Sequence, residues 1–534
     1  MIDAATAAPI AGEAVETGRP RNVWPIMSCV LLVMLLASLD QTIVATAMPR
    51  VIAHLNGFDR YAWVATAYLL FSTISVPIYG KLSDLFGRKA ILMWGIVVFL
   101  FGSGLCGAAQ TMTQLIVFRG LQGLGGGALA PMAVAVVGDL FPPKERGKWQ
   151  GLTGSVFAFA AMIGPTLGGW ITDTFSWRWI FYVNLPVGLV ALSVLLAVMP
   201  PLRARRAAGR IDALGATLLV LGVSPLLLAV TWAGGAYAWN SPRVLGVAAL
   251  GVAVLIFFVR AEWRHREPIL EPRLFANRIF SISVAATLLI GAGMLGAIYF
   301  VPLFVQAVAG ASATGSGAIL TPLMLAAIAG SISAGQLMSR WGRYRYIALF
   351  GLGLMMAGMG LLLRLGVQTR PPEVLPALLV LGAGLGFGLS LYNIVVQNAF
   401  PRERLGQVSS TLIFFRSIGG ALGIAAMGAL LTARFRAGMP ASLGAGVPIQ
   451  NIAALHNPRL LLEAQGRDVL AQTLSRLGPE GSHLYTLALK ATRLALADAL
   501  HAVFLSGLFI AVAAFCVVLF LPEIPLRGHD KGAD

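Results

Sequence analysis

The sequence predicts an all-α integral membrane fold of fourteen transmembrane helices, arranged as two six-helix bundles with a two-helix hairpin inserted between them. Three observations carry that prediction. The 534-residue chain is 57% hydrophobic and 11% charged, with a mean hydropathy of +0.81, a composition suited to lipid rather than water. A loop is written twice: Gly80-Lys81-Leu82-Ser83-Asp84-Leu85-Phe86-Gly87-Arg88 recurs as Gly335-Gln336-Leu337-Met338-Ser339-Arg340-Trp341-Gly342-Arg343, 255 residues later, keeping both glycines, the leucine and the final arginine. Basic residues also alternate between connections, with 24 on one side of the expected membrane and 5 in the short loops of the other.

Apolar stretches of about 20 residues can cross a hydrocarbon core of about 30 Å as helices, which satisfy their own backbone groups. Six lie at 24–47, 61–79, 90–109, 114–137, 150–172 and 179–199, and form an N-terminal bundle over 23–199. The first of them is too long for a cleaved secretory signal and reads as a retained helix. Two more, at 213–232 and 243–261, have no counterpart in the 255-residue register, so they form the hairpin within a 200–279 linker. The last six lie at 280–306, 315–338, 346–366, 374–397, 409–431 and 501–521, making a C-terminal bundle over 280–521. Gly164 to Gly169 falls over Gly419 to Gly423 at the same 255-residue offset. A half-chain repeat in like orientation is the symmetry of transporters whose halves are related about an axis along the membrane normal.

The charge asymmetry puts the termini, 1–22 and 522–534, on the cytoplasmic side of a cell membrane by the positive-inside rule. The net charge of +17 is therefore topological and does not point to nucleic acid. Cys29, Cys106 and Cys516 all fall inside expected spans as packing residues, with no metal-ligand pattern. No nucleophile, base and orienter constellation suggests an enzyme. Segment 432–500 is a long outer loop with Pro440, Pro448, Pro458, Pro479 and a short amphipathic run from Arg467 to Leu477. It reads as a solvated cap or as a docking surface for lipid or an accessory protein. From Leu484 no glycine or proline intervenes until Gly507, so the last helix is expected to begin above the membrane.

Charged residues inside spans are costly and mark function. Asp40 is the one acid well inside an expected span, about 11 Å below the outer surface if the first helix ends near residue 47. Arg119, in the antiparallel fourth helix, lies about 8 Å deep on the same scale. An arginine beside a carboxylate favours its charged form and desolvation disfavours it, so Asp40 could take and release a proton; the pair could equally be a static tie. Gln122, one turn beyond Arg119, and Tyr299, Gln306, Tyr392, Asn393 and Gln397 in the second half are candidates to line a substrate cavity. Glycines from Gly120 to Gly127 permit close helix approach, and Gly154, Ala158, Ala161, Gly164, Pro165, Gly168 and Gly169 give the fifth helix a bare face with a bend. Such a face suits rocking as well as tight packing. In the duplicated loop Gly80 is expected to end a helix, Gly87 to make a tight turn, and Asp84 with Arg88 to latch one conformation.

Gly80-x-Leu82-x-Asp84-x-x-Gly87-Arg88-Lys89 resembles the loop between helices two and three of the major facilitator superfamily. Leu39-Asp40-x-Thr42-Ile43-Val44 through Pro49 resembles the first-helix motif of its fourteen-helix drug:proton antiporters. Arg119 to Gly127 is similar to their fourth-helix motif, Gly154 to Gly169 to the fifth-helix motif, and Trp177 to Gly188 to the run leading into helix six. The resemblance implies the major facilitator fold and proton-coupled efflux of small hydrophobic or cationic compounds, with Arg119 in proton coupling. It implies no cofactor beyond the proton gradient, and substrates, protons and membrane lipids as partners, with an accessory protein at the outer loop left open. Export of a lipid or natural product is the alternative, and a non-transporting receptor or scaffold a more distant one. Two departures stand out: Ser339 and Arg340 replace the acid in the second loop copy, and Ala45-Thr46-Ala47-Met48 lacks the asparagine common in the first-helix motif.

Overall fold

A computed structural model describes residues 23–524 except 141–142, 200–211, 234–236, 266–267, 269, 402–403, 444–470 and 472–478. Its α-helices are α1 (Trp24–Leu55), α2 (Tyr61–Phe86), α3 (Arg88–Ala108), α4 (Met112–Leu140), α5 (Pro143–Thr174), α6 (Trp179–Tyr182), α7 (Asn184–Val198), α8 (Ala213–Trp232) and α9 (Pro242–Arg264). They continue as α10 (Arg278–Leu303), α11 (Ala313–Trp341), α12 (Arg345–Leu362), α13 (Leu375–Ala399), α14 (Leu405–Leu443) and α15 (Pro479–Val518). No β-strand occurs among the described residues. Each of the fourteen apolar stretches falls on helix, the sixth on α6 and α7 together. Eleven of these helices are long and apolar enough to cross a membrane among the described residues. Fourteen were expected, and the difference lies in α2, α5 and α8. The first and last contribute shorter apolar runs, Tyr61–Val76 and Leu214–Val230, and α5 opens on the charged sequence Lys144-Glu145-Arg146.

Three helix ends depart from the expected ones, for one reason: in lipid, helix is the conformation that satisfies a lone segment's backbone, so it continues through residues that would stop it in water. α1 runs through Pro49 and stops only at Asn56, whose φ is 51°. Gly80 does not end α2, which continues to Phe86 and stops at Gly87 with φ 90°. In the second copy α11 runs past Gly335 to Gly342, φ 65°. The duplicated motif is therefore a helix end, and its second glycine is the one whose backbone only glycine adopts readily. The long connection is also shorter than expected: α14 reaches Leu443 and α15 begins at Pro479. The run Arg467 to Leu477 lies outside the described residues apart from 471.

Glycines set the packing. α4 lies between α2 and α3: a Cβ at Gly123 would sit 2.5 Å from the Tyr68 carbonyl oxygen, and one at Gly125 2.3 Å from the Phe99 nitrogen. α13 repeats the arrangement, with Gly382 and Gly386 against α11 and Gly384 against α12. Gly164 and Gly168 bring α5 onto α1 at Thr42 and Ile43, and their register equivalents Gly419 and Gly423 bring α14 onto α10 at Leu288 and Ala292. Removing side chains at these points lets dispersion contacts form along whole helix lengths, the main attraction available between helices in lipid.

The hairpin of α8 and α9 is capped at both starts: Asp212 accepts from the Gly215 N–H at 2.7 Å, and Ser241 from the Val244 N–H at 3.3 Å. It packs on α2 and α14. The two bundles meet through α5 with α11, α2 with α14, and α1 with α10. Their shared bonds cluster on the face opposite Gly87 and Gly342. Thr166 and Thr321 hydroxyls lie 2.8 Å apart, Gln306 Nε2 donates to the Thr46 carbonyl at 2.9 Å, and Tyr61 donates to the Tyr299 carbonyl. At the rim, Asp173 of α5 accepts from the N–H and hydroxyl of Thr314, both at 2.7 Å, at the start of α11, with Arg50 3.6 Å away. Asp173 thus supplies a carboxylate from one bundle to the positive helix terminus of the other.

Candidate functional site

Asp40 stands at the middle of α1, 16 residues from Trp24 and 15 from Leu55. The depth inferred from an end near residue 47 is corrected by the extra two turns. Arg119 nevertheless reaches it: Nη1 lies 2.8 Å from Asp40 Oδ2, and both side chains are 0% exposed. The glycines of α4 make this possible, because they hold Arg119 close against α2 while its side chain extends toward α1.

Two further donors complete the carboxylate. Gln122 Nε2 and Asn184 Nδ2 each donate to Asp40 Oδ1 at 2.9 Å. Both amides also donate to Ser103 Oγ at 3.1 Å, and that hydroxyl donates to the Phe181 carbonyl at 2.8 Å. Arg119 Nη1 additionally donates to Gln122 Oε1 at 2.7 Å, and its Nε to the Val64 carbonyl at 3.4 Å. The Tyr68 ring covers the guanidinium, its centroid 4.2 Å away. Four elements, α1, α3, α4 and α7, thus converge on one acid, and every group that bonds it is a donor. An ionised carboxylate is acceptor-only, so the network is complementary to that form. Two atoms stay unpartnered, Arg119 Nη2 and Asn184 Oδ1, leaving slots for a rearranged pattern. Because both side chains are fully buried, removing either charge would strand the other.

The remaining expected residues separate into distinct places. Gln122 belongs to the Asp40 network. Tyr299 and Gln306 lie at the seam between the bundles, both buried. Tyr392 and Asn393 line a crevice in the C-terminal bundle. Gln397 is exposed on α13 and donates to Ser409 Oγ at 2.9 Å. Gly164 and Gly168 face α1 within their own bundle, while Gly169 and the Pro165 carbonyl face Ala313 and Gly317 of α11 across the seam. In the duplicated loop Arg88 bonds Ser83 Oγ, and Lys89 Nζ donates to the Met199 carbonyl at 2.5 Å. The side chain of Asp84, the surroundings of Gly80 and the side chain of Ser339 lie outside the described residues.

Sequence reasoning missed Ser103, Asn184, Asp173 and Arg416. Asn184 stood within the run Trp177 to Gly188 without being given a role, and Arg416 is a charge inside the stretch 409–431. Ser103 carries no signal in sequence, since one serine in an apolar helix is unremarkable.

The sequence model of the Major Facilitator Superfamily matches residues 30–424. The multidrug transporter protein MdtP of Bacillus subtilis is 39% identical over 524 residues, covering 95% of this chain and 94% of its own. Multidrug resistance protein 3 of the same organism is 36% identical over 471 residues, 86% of this chain and 91% of its own. A bacterial homologue of the human lysosomal transporter Spinster superposes with a TM-score of 0.62 at 16% identity, over 92% of this chain and 97% of that one. A D-xylose-proton symporter does so at 0.55 and 15%, over 76% and 90%. At these identities the solved structures speak to the fold.

Proposed function

We propose that this chain, which belongs to the Major Facilitator Superfamily and is a multi-pass membrane transporter, not an enzyme, exports amphipathic organic compounds, cationic ones included, in exchange for protons. Fourteen spans with both termini in the cytoplasm complete the reading. The observation that carries it is Asp40: a fully buried acid held by Arg119, Gln122 and Asn184. The names of the bacterial relatives support multidrug cargo.

Protonating Asp40 turns one carboxylate oxygen from acceptor into donor, so at least one of its donors must let go. Arg119 then lacks its counter-charge and has Gln122 Oε1 and the Val64 carbonyl as alternatives. α1 and α4 are thereby free to separate, and α1 carries with it the Thr42 and Thr46 contacts to α5 and the Gln306 bond to the other bundle. Proton binding is in this way tied to the seam that closes the outer face, as alternating access between two rigid bundles requires. The basic loops lie on the cytoplasmic face by the positive-inside rule, so the seam closed here is the one on the outer side.

The test is transport in proteoliposomes under an imposed pH gradient. Wild type is expected to move a cationic dye against its concentration gradient and to stop when a protonophore is added. Dye movement indifferent to the protonophore would overturn the exchange mechanism.

A further inference from the structure

The C-terminal bundle holds a second intramembrane cation whose surroundings are unlike those of Arg119. Arg416 stands on α14, eleven residues past Leu405, roughly 16 Å along the helix. With Thr287 of α10 and Tyr392 and Asn393 of α13 it lines a narrow crevice that admits about 10 Å³, the room of a single water. No hydrogen bond or ion pair reaches its guanidinium among the described residues, whereas Arg119 has Asp40. The other polar groups of the crevice are in the same condition: Thr287 Oγ1, Tyr392 Oη and Asn393 Oδ1 have no partner, although Tyr392 is 2% and Thr287 6% exposed.

Unpartnered polar groups at this depth are costly and are retained where they meet a ligand. The donors present are a fixed guanidinium fork and two hydroxyls, the Asn393 amide N–H2 being committed to the Leu389 carbonyl at 3.4 Å. Such a set fits the oxygens of an anion and repels a cation. Asn393 is six residues from Ala399, the end of α13 nearest the basic loops, so the crevice lies in the half of the bundle away from the closed seam. Leu412 and Ile413 continue its wall, an apolar surface for the rest of a molecule whose charged group is bound.

We infer that this crevice, once its lining side chains part beyond the room of one water, is the head-group subsite for an anionic amphiphile, a carboxylate, sulfonate or phosphate bound by Arg416 and the hydroxyls of Tyr392 and Thr287. The inference rests on the transport reading and widens its cargo from cations to molecules carrying an acidic group.

The test is fluorescence titration of the full chain in phosphatidylcholine nanodiscs with dansylglycine and, as a neutral control of nearly the same shape, dansylglycinamide. Wild type is expected to bind the carboxylate about tenfold or more tightly than the amide. Arg416→Gln should abolish the difference and Arg416→Lys restore part of it, with unfolding temperatures like wild type showing that both variants fold. Asp40→Asn should keep the preference, which separates this subsite from the proton site: a wild type that shows the preference but exports no dye would sink the exchange mechanism alone. Incorporating phosphatidylglycerol identifies the source of the anion. Displacement of dansylglycine by that lipid in wild type but not in Arg416→Gln makes a lipid headgroup an occupant and still supports the subsite. Equal affinities for carboxylate and amide in wild type, together with no Arg416-dependent phosphatidylglycerol binding, would overturn it, as would a preference that survives in Arg416→Gln.

Discussion

Asp40 and Arg119 meet at 2.8 Å with neither side chain exposed, although 79 residues separate them in the chain. Asp40→Asn keeps the size of the side chain and removes the charge. The expected outcome is a folded protein that binds dye and exchanges it down a gradient but loses proton-driven accumulation altogether. Arg119→Gln strands a buried carboxylate, as Asp40→Asn strands the guanidinium, each at a cost of up to about 3–5 kcal/mol; reduced unfolding temperature and yield are the measurements. Full accumulation by Asp40→Asn would dismiss it as the proton site.

Asn184 shares Asp40 Oδ1 with Gln122. Asn184→Leu leaves the carboxylate one donor short, a loss of about 1.5–3 kcal/mol for a bond to a charged group, and proton-driven transport should fall by about tenfold or more. Cys106→Ser is the control, since the thiol makes only a 3.7 Å contact to Gln122 Oε1; it should stay within about twofold of wild type, on the scale of a weak S–H donor.

Asp173 ties the two bundles at the rim through Thr314. Asp173→Ala removes these bonds and the electrostatic contact with the start of α11, so the seam should open more often. Thr321→Cys, introduced with Cys516→Ser, places a reporter beneath the rim. Its labelling by a membrane-impermeant maleimide from the outer side should rise several-fold in Asp173→Ala. Unchanged labelling would show that the rim contact does not hold the seam.

Gly168 and Gly169 are adjacent but face different partners. A Cβ at Gly168 meets the Ile43 carbonyl at 2.6 Å within one bundle, and one at Gly169 meets the Ala313 carbonyl at 2.2 Å across the seam. Gly168→Ala should lower stability by about 1–3 kcal/mol through overpacking. Gly169→Ala should leave thermal stability close to wild type and raise outer-side labelling of Thr321→Cys, because the bundles can part to relieve the clash.

The two glycines of the duplicated motif should respond oppositely. Gly87→Ala imposes a side chain at φ 90° and ψ 149°, with an expected loss of about 1–3 kcal/mol. Gly335→Ala lies inside a helix with nothing within 4 Å of the added atom, so it should be neutral or stabilising by up to about 1 kcal/mol. Thermal unfolding of the two variants in detergent decides the matter.

Much of this molecule is legible in the chain. Hydropathy places the apolar stretches on helix because lipid leaves a segment of the right length little but helix to form, eleven of them long and apolar enough to cross a membrane among the described residues, and the 255-residue repeat makes the two bundles alike because like glycines impose like packing, as at Gly164 with Gly419. Asp40 and Arg119 stood out as charges in apolar runs, and their antiparallel helices brought them to one place. Helix ends were less legible: Gly80 read as a stop by aqueous rules that lipid suspends, and the first helix runs on past residue 47 through Pro49.

Only the tertiary structure decided which groups each charge meets. Ser103 and Asn184 became partners of Asp40 through the close approach of α3, α4 and α7, a property of packing that no local pattern encodes. Arg416 was visible as a charge, but that it meets no carboxylate among the described residues and faces unpartnered hydroxyls follows from the crossing of α10, α13 and α14. Local composition determines where a chain enters lipid; the pairing of buried polar groups is settled by contacts between helices far apart in sequence, where an unmatched donor has no water to turn to.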